Sequence, residues 1–176
     1  HCVKEGTARL PNQGNWDQFW SRPQSDRLHQ ISWSKRRIMQ VLQPYLQSGK
    51  KALDAGCGSG FFSAYFCDQG METIALDYAD AALTAAKEAT GGRAKIVKAD
   101  MLHDDLAIHV QEPVDIVFSD GLLEHFIPED QDRILNQWRK LLTPDGIIVT
   151  FVPNRWSPWE LIRPFFFDAR AGRWST

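Results

Sequence analysis

The chain reads as an α/β protein with a doubly wound, mostly parallel sheet and helices on both faces. Three observations predict this. From residue 51 onward, apolar runs of strand length alternate with helix-like stretches. Runs such as Val114-Asp115-Ile116-Val117-Phe118 are apolar nearly throughout, as in strands covered on both sides. The runs also end in acids followed by turn residues rather than in further aliphatics. Right-handed crossovers then leave few topologies, all with a ligand crevice at the carboxyl ends of the strands.

After a polar start, Asn15-Trp16-Asp17-Gln18-Phe19-Trp20 predicts a short aromatic helical turn. A longer helix follows at about 25–47, with Leu28, Ile31, Ile38, Val41, Leu42 and Leu46 near helical spacing, Ser25 as its cap and Gly49 as its close. The pattern continues with a strand at 51–55, a helix at about 59–68, a strand at 72–77, a helix at 79–90 and a strand at 94–99. A weak helical stretch near 104–109, a strand at 114–119, a helix at about 128–142 and a strand at 146–152 complete it. In Thr143-Pro144-Asp145-Gly146 the proline presets a bend, and Gly146 is expected to take a positive dihedral. Residues 1–48 form a helical cap segment and 49–176 the core, within one domain overall.

Composition narrows the function. With 43% hydrophobic and 24% charged residues over 176 positions, the chain can bury a real core. A net charge of -2 lacks the electrostatic footprint of a nucleic-acid binder, so no nucleic-acid partner is expected. The basic run Ser34-Lys35-Arg36-Arg37 reads as a solvated helix face. Cys2, Cys57 and Cys67 make neither a metal-ligand spacing nor an even disulfide framework, which predicts no metal and a reduced, cytoplasmic setting. No apolar run is long enough to span a membrane.

The chemistry concentrates at Lys51-Ala52-Leu53-Asp54-Ala55-Gly56-Cys57-Gly58-Ser59-Gly60, an apolar strand that ends in an acid and three alternating glycines. There a backbone without Cβ atoms can approach a ligand, next to a helix N-terminus. Dinucleotide sites carry G-x-G-x-x-G, whereas these glycines run G-x-G-x-G. An aspartate in the same crevice would repel a pyrophosphate and attract an ammonium. The pattern therefore favours a ligand with a cation beside a nucleoside, and a side chain at Gly56 would intrude on it. Asp77 follows Asp54 by 23 residues and ends the second strand, where a carboxylate can accept from both hydroxyls of a ribose. An exposed helix cap is its alternative role. Tyr78 beside it could lie against adenine. Asp100 ends the third strand and Ser119-Asp120 the fourth.

Four segments taken together resemble the class I S-adenosylmethionine-dependent methyltransferases, in the small-molecule (type 11, ubiquinone and menaquinone-like) branch. These are the glycine turn, Ala99-Asp100-Met101, Ser119-Asp120-Gly121-Leu122-Leu123-Glu124-His125-Phe126, and Leu141 to Phe151 with its Pro-Asp-Gly turn. The resemblance runs from about Lys50 to Pro153. It implies S-adenosylmethionine as cofactor and S-adenosylhomocysteine as product, held by Asp54, Gly56, Cys57, Gly58, Asp77, Tyr78, Asp100, Met101, Ser119, Asp120 and Gly121. In this reading Asp100 accepts from the adenine amine, while Met101 gives its amide and a polarizable wall. The strand end at Ser119 lines the methionine part, and the loop after it faces the acceptor. His125 is either a base on a hydroxyl or a structural partner of Glu124. Relatives add a sixth and seventh strand as a hairpin. This sequence stops where the sixth would start, so either the protein continues beyond it or a partner, such as a second copy, covers the sheet edge.

The implied reaction is methyl transfer to a small, partly apolar molecule. Trp16, Trp20, Glu124 and Trp156 are the expected acceptor walls, and residues 14–22 are either a lid over the cofactor or a permanently docked helix. Two other classes stay open. A nicotinamide-dependent oxidoreductase should show G-x-G-x-x-G and no charge at position 54, and a catalytically silent module should lose cofactor contacts.

Overall fold

A computed structural model describes residues 31–152. Five strands, β1 (Lys51–Ala55), β2 (Glu72–Asp77), β3 (Lys95–Lys98), β4 (Val114–Asp120) and β5 (Leu142–Phe151), form one sheet in the order β3-β2-β1-β4-β5. Every pair is parallel. The helices are α1 (Trp33–Leu42), α2 (Phe61–Asp68), α3 (Asp80–Ala89), α4 (Leu106–Val110) and α5 (Pro128–Leu141). The chain builds outward from β1 to β3, then returns to lay β4 on the other side of β1. Crossovers therefore diverge between β1 and β4, and the crevice opens at their carboxyl ends.

Side chains along β1, β2 and β4 alternate between the faces. Leu53, Ala55, Ile74, Leu76, Val114 and Val117 meet Leu106, Val110, Ile134, Trp138 and Leu141 from α4 and α5. On the opposite face Ala52, Ile116 and Phe118 meet Ile38 and Leu42 of α1 and Phe62, Tyr65 and Phe66 of α2. Phe118 anchors that side, with ring centroids 4.7 Å from Phe62 and 5.4 Å from Phe66. Each fully buried aromatic or aliphatic side chain contributes about 1.5–3 kcal/mol. The indole Nε1 of fully buried Trp138 has no hydrogen-bond partner among the described residues.

Several element boundaries differ from expectation. Residues 31 and 32 are not helical. Ser32, in an extended conformation, caps α1 by accepting from the Lys35 N–H at 3.2 Å, so no continuous helix runs through 25–47. The proposed cap Ser25 lies outside the described residues. Pro44, lacking an N–H, converts the far end of α1 into a 3₁₀ turn at Gln43–Tyr45. Gly49 takes φ +80° in the next turn instead. The positive dihedral expected at Gly146 is absent. Glycine is needed there for space: a Cβ would stand 2.9 Å from Leu142 Cδ2 and 3.1 Å from the Thr143 carbonyl. β5 begins at Leu142 opposite Val114 and resumes at Ile147 opposite Ile116, with the Pro-Asp-Gly segment looped out between.

Candidate active site

The glycine turn is built by its own backbone. Gly56, Gly58 and Gly60 all adopt positive φ, at 76°, 49° and 72°. Leu76 at the end of β2 accepts from both Gly56 N–H (2.8 Å) and Cys57 N–H (3.0 Å), and Gly60 N–H donates to the Cys57 carbonyl at 2.8 Å. Gly58 N–H donates to Asp77 Oδ2 at 3.1 Å. The amides of all three glycines and of Cys57 are thus consumed within the fold. Such a turn does not cradle a phosphate with its N–H groups. Asp54 strengthens the exclusion. Its carboxylate is 3% exposed, accepts from Ser63 Oγ at 2.5 Å and is also hydrogen-bonded by the Ser63 backbone, so it occupies the N-terminus of α2 where a pyrophosphate would sit.

The glycines divide their tasks. A Cβ on Gly56 would lie 3.0 Å from Leu122 Cδ1, so a side chain there would first displace Leu122 rather than a ligand. A Cβ on Gly60 would come within 2.4 Å of Ala86 Cα, so Gly60 lets α2 press against α3. The Cys57 side chain is buried in a small cluster with Ala75, Leu83, Ala86 and Ala94. Burial, helped by Asp54 and Asp77, raises its thiol well above the ordinary range.

Asp77 is 6% exposed, so it is not the exposed helix cap offered as its alternative, and both of its oxygens are engaged by backbone amides. Oδ1 accepts from Ala79 N–H at 3.0 Å, turning the chain into α3, while Oδ2 holds the glycine turn. Tyr78 is half-buried beside it. At the next strand end Asp100 Oδ1 accepts from Leu102 N–H at 2.9 Å and Oδ2 pairs with His103 Nδ1 at 2.9 Å. Burial alone would raise the Asp100 pKa, but the His103 and Leu102 hydrogen bonds outweigh it and hold the carboxyl below its ordinary value. The Met101 side chain lies in the core beneath this loop, and its carbonyl accepts from Gln137 Nε2 at 2.8 Å.

At the end of β4, Ser119 is fully buried and shares a 2.9 Å hydrogen bond with Thr150 on β5. Asp120 keeps solvent access. Protein crowding around its carboxylate and the nearby Glu124 raise its pKa, with Lys35 opposing. Gly121, at φ 69°, donates to the Phe151 carbonyl at 2.9 Å and turns the chain into a 3₁₀ turn at Leu123–His125. That turn presents exposed Glu124 and half-buried His125. Trp16, Trp20 and Trp156 lie outside the described residues, as does the segment 14–22.

Three contributors escaped sequence reasoning. Leu122 packs over Gly56. On α5, Gln131 Nε2 donates to the carbonyls of Leu123 (2.8 Å) and Phe126 (2.9 Å), and Gln137 joins the Met101 carbonyl to the Leu106 N–H, at 2.8 and 3.0 Å. One helix thereby fixes both loops that rim the crevice. Lys35 also departs from the solvated face expected for its run: its Nζ stands 3.9 Å above the Phe61 ring, and the burial this entails lowers its pKa, Asp120 opposing.

Desolvation pushes the Asp54 pKa up to about 7, with Asp77 and Asp120 adding repulsion. Three carboxylates around one glycine turn form a site that gains from a cation. Among the described residues no group of His, Cys, Asp and Glu could hold a metal ion, and no helix is long and apolar enough to cross a membrane. The crowding of acids favours a ligand that brings positive charge.

Known proteins agree with this geometry. The family described as Methyltransferase domain matches residues 53–150, more than half of the chain. A probable S-adenosylmethionine-dependent methyltransferase of Mycolicibacterium smegmatis is 30% identical over 61% of this chain and 40% of its own length. The ubiquinone biosynthesis O-methyltransferase of Pasteurella multocida is 28% identical over 81% of this chain and 63% of its own. The chain thus spans less than two thirds of these curated relatives. Among solved structures, the N-methyltransferase NodS from Bradyrhizobium japonicum, in complex with S-adenosylhomocysteine, superposes with a TM-score of 0.67 at 18% identity over 80% of this chain and 72% of that one, which shows the shared fold. On its sheet order, its glycine turn and this match, the chain belongs to the class I S-adenosylmethionine-dependent methyltransferase family.

Proposed function

We propose that the protein transfers a methyl group from S-adenosylmethionine to a small, partly apolar acceptor and releases S-adenosylhomocysteine. The observation that carries this reading is the glycine turn itself, with its amides used internally and three carboxylates around it. A dinucleotide needs the opposite arrangement, which disfavours a nicotinamide-dependent oxidoreductase. A silent module would have no reason to keep Asp54 buried at the cost of its desolvation.

When bound, the cofactor supplies a methyl group already activated by a sulfonium, whose C–S bond breaks as the new bond to the acceptor forms. The protein's part is placement and exclusion of water. Asp77 accepts from the ribose hydroxyls, a carboxylate oxygen being able to accept more than one hydrogen bond. Asp100 accepts from the adenine amine and Tyr78 lies along the ring. Asp54 and Asp120 hold the cationic end, Gly58 and Gly121 keep the walls thin, and Gly56 leaves room for Leu122 beside the turn. Leu122 forms the apolar wall between turn and acceptor. A hydroxyl acceptor loses its proton to His125 or Glu124, and a neutral amine sheds its proton after transfer. Trp16, Trp20 and Trp156, which lie outside the described residues, are the proposed acceptor contacts, and the proposed setting is the cytoplasm.

Isothermal titration with S-adenosylmethionine, S-adenosylhomocysteine and NAD in parallel tests the reading. Micromolar binding of the first two and none of NAD is expected. Heat with NAD alone would overturn it. Transfer of a labelled methyl group into hydroxylated aromatic rings or neutral amines then identifies the acceptor class.

A further inference from the structure

Asp100 is gripped unusually for a surface loop. Its Oδ1 takes the Leu102 N–H, its Oδ2 takes His103 Nδ1 at 2.9 Å, and its own N–H donates to Asp104 Oδ2 at 2.8 Å. His103 has no packing role that explains it, since its side chain is 78% exposed against 44% for Asp100. Among the described residues the charged groups that act on it are acidic: Asp100 and Asp104 from its own loop, and Asp130 from α5. His109 Nε2 faces Asp104 Oδ2 at 3.9 Å and shares that acid rather than His103's own.

We propose that His103 is a positioning residue for the cofactor's adenine, holding the Asp100 carboxylate in the orientation that accepts from the adenine amine. The inference rests on the adenine role of Asp100 proposed above. A half-exposed carboxylate otherwise rotates into water, and each binding event must then order it. Two anchors, one per oxygen, remove most of that freedom. The hydrogen bond and charge of Asp100 raise the His103 pKa. The charged, stronger form of the pair therefore persists to higher pH than a free imidazole would and fades as pH rises through the raised value. Adenine retention should weaken over the same interval.

The test compares S-adenosylhomocysteine with its analogue bearing hydrogen in place of the adenine amine, titrated against the wild type, His103→Leu and His103→Asn. The wild type should prefer the amine-bearing ligand about ten-fold. His103→Leu should bind that ligand about five-fold more weakly, the worth of one partly exposed charge-assisted hydrogen bond, and leave the analogue unchanged. Asparagine, which donates without titrating, should restore the preference and remove its pH dependence. Equal binding of both ligands by the wild type would show that Asp100 does not read the amine and would sink the adenine assignment itself. A preference left intact in His103→Leu, or a loss equal for both ligands, would overturn the role of His103 alone. Melting temperatures of all three proteins should agree, given the exposure of His103.

Discussion

Asp77 and Asp120 end two strands of one crevice, yet they are held in opposite ways. Asp77 is buried, and each oxygen accepts from a backbone N–H, Gly58 on one side and Ala79 on the other. Asp120 keeps solvent access; partial desolvation of its carboxylate raises its pKa most, and the charges that act on it belong to side chains, Glu124 and Lys35. The same division extends outward. The end that would meet the nucleoside is made of main chain locked into the sheet, while the end facing the acceptor is made of side chains on a loop tied down by Gln131. A cofactor shared across a family asks for the first kind of construction. An acceptor that differs from member to member is served by the second, because side chains can change without disturbing the strands.

The comparison breaks most forcefully at Gly60. Gly60→Val should destabilise the protein by more than about 4 kcal/mol, since the new atoms meet Ala86 backbone and the residue sits at φ 72°. Urea unfolding measures it, and a loss under about 1 kcal/mol would mean that α2 and α3 can separate. Asp54 tests the buried acids. Its folded pKa near 7 lies above the ordinary carboxylate value of 3.8, so the folded state keeps a proton that the unfolded chain releases between those values. Ligand-free stability should therefore fall as pH rises from about 4 to about 7. Asp54→Asn, which keeps an acceptor for Ser63, should remove that slope, worth at most on the order of 4 kcal/mol. Parallel melting curves of the two proteins across that range would refute the burial argument.

Asp77→Ala should weaken cofactor binding by about 1.5–3 kcal/mol and also lower the melting temperature, because two backbone amides lose their acceptor. Unchanged binding with a lowered melting point would leave Asp77 a purely structural brace. Asp120→Asn is the mild counterpart. Relief of repulsion from Glu124 and Asp54 should leave stability unchanged or raised by under about 1 kcal/mol, with a small loss of cofactor affinity in the same titration. A collapse of stability in this variant would erase the distinction between the two ends.

What could be read in advance follows the same line between local and distant causes. Strand β2 and the acids at the strand ends were legible because a buried strand must be apolar and an acid at its end is conspicuous. The start of α1 was not. Ser25, Ser32 and Ser34 are all competent caps, and helical spacing runs across them without marking which one has an extended backbone. Gly146 misled because a Pro-Asp-Gly turn usually wants a positive dihedral there, whereas here the close approach of Leu142 selects the glycine. Leu122, Gln131 and Gln137 left no local signature, since their meaning lies in partners that only folding brings near. Lys35 looked like one charge in a basic run until Phe61 was placed beneath it.

The contact between Gly60 and Ala86 bears on how such chains drift in sequence. Ala86 has no side chain to shorten except its methyl, and the nearest atom to a Cβ at position 60 is backbone, so even Ala86→Gly would leave the clash at 2.4 Å. No single partner substitution can license a larger residue at 60. A descendant that abandoned cofactor chemistry would still be obliged to keep this glycine for as long as it kept the two helices together. The third glycine of the turn is thus a witness to architecture, and a genome reader who counts it as a sign of methyl transfer is counting the wrong letter. Gly58, whose amide donates to Asp77, and the acid at 54 are the positions to which the proposed chemistry is assigned instead.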